Sequence, residues 1–104
     1  MAFADHLKQL PSVSHLAALQ LLDATGNVVA TLENKPGQSG ALAVYAALVV
    51  KHGRINVAAA QEGLDLFAEH TAKARVHPGS HPNIDRLLAV IETGACFTVK
   101  LING

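Results

Sequence analysis

Three groups of residues in this 104-residue chain are of types, and at spacings, that bear on chemistry. The first is the run Lys35-Pro36-Gly37-Gln38-Ser39-Gly40, a glycine-containing loop ahead of an apolar segment. Free backbone N–H groups in such a loop, backed by the start of a helix, suit an anion or a small ligand. The candidate ligand residues are Lys35, Gly37, Ser39 and Gly40. A triphosphate loop is not expected, because it needs a lysine and a hydroxyl residue after its last glycine, and Ala41 and Leu42 stand there. The simpler reading is structural: the glycines permit tight turns and Ser39 caps the next helix.

The second group is histidine. Of six in the chain, His70, His77 and His81 fall within twelve positions. Neutral imidazoles ligate zinc or copper, and Glu69 and Asp85 lie close in sequence. Against a metal, Pro78 and Gly79 redirect the chain between His77 and His81, and no HExxH pair occurs. Surface or loop histidines are the stronger reading, and no metal or other cofactor is expected. The third group is nucleophilic. Cys96 follows Gly94 and Ala95 at the start of an apolar strand, where a thiol serves as a small hydrophobe. None of Ser12, Ser14, Ser39 and Ser80 lies in a glycine-flanked nucleophile elbow. No catalytic residue is assigned, and an enzyme is not expected. Tyr45, Asn34 and Arg54 are polar residues beside apolar segments, best explained by internal hydrogen bonds.

The elements that must carry these groups are read from periodicity. Phe3, Leu7 and Leu10 recur at helical spacing up to Pro11. Residues 15–24 form a strand apolar on both faces apart from Gln20, which suits a central position. Asp23, Thr25, Gly26 and Asn27 turn it into a second strand over 28–33, completing a hairpin over 15–33. Residues 41–52 are a buried apolar helix ended by Gly53. Asn56 caps a long helix over 57–75, whose apolar arc is wide enough to need a cover from this chain or from another copy. Ile84, Leu87, Leu88 and Ile91 mark a last helix, and a half-buried strand follows over 96–102. The expected fold is α+β: one domain over 1–104, order α-β-β-α-α-α-β, with a small antiparallel three-stranded sheet packed against helices.

Composition narrows the partners. Eight basic and eight acidic residues cancel without any run of like charge, so the attraction that drives non-specific nucleic-acid binding is missing. Charged residues make up only 15 % of the chain, which leaves little to keep the surface monomeric. With two sheet edges to protect, a homo-oligomer is expected, a dimer being the simplest, and a protein partner is a further option. The longest apolar run, 41–50, falls well short of the roughly 20 residues that span a bilayer, so no membrane association is expected. One cysteine and no signal-peptide pattern point to the cytoplasm.

The segments Leu32-Glu33-Asn34-Lys35-Pro36-Gly37, Ala43-Val44-Tyr45, Ala68-Glu69-His70-Thr71 and His81-Pro82-Asn83-Ile84-Asp85-Arg86-Leu87 resemble a small bacterial family of uncharacterised proteins, the domain of unknown function twenty-three twenty-two. The resemblance covers nearly the whole chain. It implies a bacterial, cytoplasmic protein and brings no activity, cofactor or site residue with it. The function expected from the residues is therefore a non-enzymatic domain that associates with itself or another protein. The alternative is a small-ligand or anion-binding domain using the Lys35–Gly40 loop, with a metal-dependent enzyme third.

Overall fold

Strand β1 (Leu16–Leu22) has apolar side chains to bury on both faces, and it takes the middle of the sheet. The computed structural model describes residues 2–104, and Met1 lies outside it. Strands β2 (Val28–Glu33) and β3 (Thr98–Asn103) flank β1, both antiparallel to it, in the order β2-β1-β3. The hairpin turn is built on Asp23, whose Oδ1 accepts from the Thr25 hydroxyl and from the N–H groups of Thr25 and Asn27. Those bonds, the Thr25 hydroxyl first, hold the Asp23 carboxyl below the usual carboxylate range.

Leu19 and Leu21 are fully buried, with Leu32 and Ala30 directly opposite them on β2. Onto this face packs helix α2 (Ser39–His52), with α3 (Val57–Phe67) against α2 and α5 (Pro82–Thr93) against α3, and their Leu42, Tyr45, Leu48, Leu64 and Leu87 join the same core. A short α1 (Phe3–Gln9) and an α4 (Glu69–Val76) complete the layer. Gly53 closes α2 at φ 79°, and the Asn56 side chain accepts from the Ala59 N–H to start α3, both as the sequence predicts. Among the described residues no helix is long and apolar enough to cross a membrane.

The expected α+β order holds, with one internal division. The helix predicted over 57–75 breaks at Ala68, between α3 and α4. Ala68 has φ 52° and ψ −118°, angles that glycine adopts at the first central position of a type II′ turn. The break frees the last carbonyls of α3, and distant groups take them. The buried Thr71 hydroxyl donates to Leu64 O at 2.6 Å, and His6 Nδ1 donates to Leu66 O at 2.9 Å. The wide apolar arc finds its cover inside the chain: Ala59 is fully buried and Leu66 packs on the core, against α1, α2 and α5.

A left-handed alanine stores backbone strain that glycine would not. Ala68→Gly is therefore expected to raise stability by about 1 kcal/mol, read as a higher urea midpoint with an unchanged slope. A lower midpoint would show that the turn is not strained.

Three local expectations are corrected. Ser39 does not cap α2: the N–H groups of Gln38 and Ser39 both bond to Lys35 O, so helical bonding starts early and Gln38 occupies the cap. Cys96 is exposed and precedes β3, which begins at Thr98 after an isolated bridge between Ile55 and Phe97. Leu101 lies opposite Leu19 yet stays 42 % exposed, because β3 is an edge and only Ala46, Ala47 and Val50 of α2 approach it across a shallow groove.

Candidate ligand pocket

The starts of α2 and α5 and the break between α3 and α4 come together under α1. Two hydrogen bonds dock α1 there: Phe3 N–H donates to Glu69 Oε1 at 2.8 Å, and His6 bonds to Leu66 O. The Phe3 N–H, ahead of the other contributions, holds the Glu69 carboxyl below its usual range. The Phe3 ring stacks on Phe67 with centroids 5.5 Å apart and meets His70 edge-on at 5.0 Å. Gly40 lets this happen, since a Cβ there would lie 3.2 Å from Phe3 Cζ.

The connection over 77–82 is stiffened by its own bonds. Ser80 Oγ donates to His77 O at 2.6 Å, and Gly79 N–H donates to Asp85 Oδ2 at 2.8 Å. Pro82 then opens α5, where its fixed φ and missing N–H cost nothing. The result places the His81 ring 5.5 Å from the His70 ring. At the next residue after Pro82, Tyr45 from α2 donates its hydroxyl to Asn83 O, tying α2 to α5. Arg86 Nη1 donates to Asn83 Oδ1 at 2.9 Å and to Tyr45 Oη at 3.3 Å. Burial pushes the Tyr45 hydroxyl up to about 12, and the neighbouring Arg86 charge and hydrogen bond pull the other way.

Between these segments lies a cavity of about 450 Å³, within the usual size of small-molecule sites. Its apolar wall comes from Phe3, Leu7, Ala41, Phe67 and Ile84, and its polar wall from His70, Ser80, His81 and Asn83. Gly37 and Gly40 also line it. The glycine loop and two of the three histidines singled out in the sequence thus share one cavity.

The remaining candidates lie elsewhere. Lys35 is outside the lining and pairs with Glu33 at 2.6 Å on the surface, and Ser39 is also outside it. His77 is exposed at the turn, and among the described residues no three histidine, cysteine, aspartate or glutamate side chains gather as a metal group. His70 Nδ1 is the one buried side-chain polar atom among the described residues without a hydrogen-bond partner.

The sequence match bears on all of this region. Residues 3–101 match the family described as "Uncharacterized protein conserved in bacteria (DUF2322)". The chain belongs to this family. No curated protein and no solved structure matches it. The match takes in every segment of the cavity, from Phe3 of α1 to Ile84 of α5.

Sequence reasoning missed Phe3, Asn83 and Arg86. Asn83 and Arg86 stand three apart on a helix, a spacing that brings side chains together, so that pair was findable. Phe3 was not, because only tertiary docking of α1 carries it to residues more than sixty positions away.

Proposed function

We propose that this chain is a small-molecule-binding domain without catalytic chemistry of its own. The observation that carries this reading is the cavity of about 450 Å³ whose lining brings Gly37 and Gly40 together with His70, His81 and Asn83 and an apolar wall. A concave, largely apolar wall with a few convergent polar groups is what orients and retains a small ligand. Absence of a catalytic role is supported by the state of the nearest nucleophile: Ser80 Oγ is spent on His77 O rather than held against an imidazole.

A fragment screen by 1H–15N correlation spectra tests this. Hits are expected to shift Gly37, Gly40, His81 and Asn83 together and saturably, and Ala41→Trp, which fills the cavity, is expected to abolish those shifts in a folded protein. Shifts scattered over the surface, or hits indifferent to Ala41→Trp, would refute the reading.

Self-association is the second reading, favoured by one observation. Val50 and Leu101 are 78 % and 42 % exposed on either side of the groove beside the unpaired edge of β3. Sedimentation equilibrium on the same samples is expected to give a dimer that Leu101→Lys dissociates. A monomer at millimolar concentration removes this reading.

A further inference from the structure

Resting on the ligand-pocket reading above, we propose that the ligand is an organic anion, a carboxylate or phosphoryl group on an apolar body, met by the Asn83 amide, with Arg86 behind the wall as the positioning residue that holds this amide and supplies the positive field. The first observation is the state of Arg86. It is only partly exposed, yet no carboxylate pairs with it, and its two acceptors, Asn83 Oδ1 and Tyr45 Oη, are neutral. Arg86 is not itself a lining residue; it stands behind Asn83, which is, and a partly buried positive charge without a counter-charge at that place favours an anion in the cavity over a cation.

The second observation is the hydrogen-bond inventory of the polar wall. Arg86 occupies the oxygen end of the Asn83 amide, which leaves the NH2 end as a donor with no partner in the chain. The rings of His70 and His81 also bond to nothing in the chain, and no aspartate or glutamate lines the cavity. A wall that offers free donors and imidazoles, and no carboxylate, is complementary to a group rich in acceptors and negative in charge.

The third observation is the opposite side. The stacked Phe3 and Phe67 rings give the cavity an apolar floor that a bare inorganic ion would leave unfilled. The volume admits a ring-sized body with one charged substituent. Carboxylate and phosphoryl carriers share this chemistry, and the experiment separates them.

The test is titration at constant ionic strength with four probes of one shape: benzoate, phenyl phosphate, benzamide and benzylamine. At least one anion is expected to shift the Asn83 side-chain NH2 and the Gly40 and His81 amides with an affinity about tenfold or more above benzamide, the tighter anion naming the source. Benzylamine is expected to be the weakest. Arg86→Met is expected to remove most of the anion advantage while leaving benzamide binding in place. Asn83→Ala, which keeps the backbone carbonyl that Tyr45 uses, is expected to do the same should the arginine variant unfold. Equal binding of benzamide and the anions, or an anion advantage that survives both substitutions, overturns the charge assignment and leaves the pocket reading standing. If none of the four binds, the charge assignment falls, whereas the pocket reading falls only when the broader fragment screen is silent as well.

Discussion

Gly63→Val is expected to lower the unfolding free energy by about 3 kcal/mol. Glycine in the middle of a helix costs about 1 kcal/mol relative to alanine, so its place in α3 asks for a packing reason. The geometry supplies one. A Cβ at Gly63 would lie 2.7 Å from Leu87 Cδ1 and 2.9 Å from Leu48 Cδ1, where α3 is pressed against α5 and α2. Both leucines are fully buried, so neither methyl group can swing out to solvent. One added carbon can be met by rotamer changes, and the better helix propensity of alanine offsets part of the strain, so Gly63→Ala is expected to stay within about 1 kcal/mol of the parent. Two further branched carbons have nowhere to go. Urea unfolding followed by circular dichroism measures the difference. Adding Leu87→Ala to Gly63→Val is expected to cost much less than the sum of the single changes, a coupling of about 1 kcal/mol or more. Strict additivity would show that these two side chains do not compete for the same space.

Local patterns reached the sheet and the helix ends because their causes are local. The Asp23–Asn27 turn, the Asn56 cap and the Gly53 closure each depend on side chains within a few residues. The central position of β1 followed from its double-sided apolar pattern. What failed had non-local causes. Nothing at the break is a helix breaker, since Gly63, the one glycine between Val57 and Arg75, stays inside α3, and the break at Ala68 is held by Thr71, by His6 from the N-terminal helix and by Glu69 receiving Phe3 N–H. The cavity was half legible for the same reason. Its loop and its histidines stand out by residue type, but their convergence needs the bend at Ala68 and the docking of α1, neither of which periodicity encodes. Lys35 misled because charge beside a glycine loop invites an anion, whereas its nearest opposite charge is Glu33 on the adjoining strand.

Tyr45→Phe is expected to cost about 1–2 kcal/mol near neutral pH and to change how stability responds to alkali. Tyr45 is fully buried in α2, and its hydroxyl both donates to Asn83 O and accepts from Arg86, so its removal leaves a carbonyl and a guanidinium each short of a partner. Burial, the larger influence, pushes the hydroxyl up to about 12, against the Arg86 charge and hydrogen bond. In the unfolded chain the same group titrates near its ordinary value of about 10. The folded value is the higher, so this contribution to stability is fully present below about pH 10 and drains as pH rises towards about 12. Two units at about 1.4 kcal/mol each put the eventual loss at nearly 3 kcal/mol. Lysines and other alkaline groups are common to both proteins and cancel in the difference. The neutral-pH advantage of the parent over Tyr45→Phe should therefore shrink above about pH 10, vanish near about pH 11 and reverse beyond it. Chemical unfolding of the two proteins from pH 7 to 12 reads this directly. Parallel curves would mean that the hydroxyl is as free to ionise in the folded protein as in water, and that the tie between α2 and α5 at the cavity wall is open rather than closed.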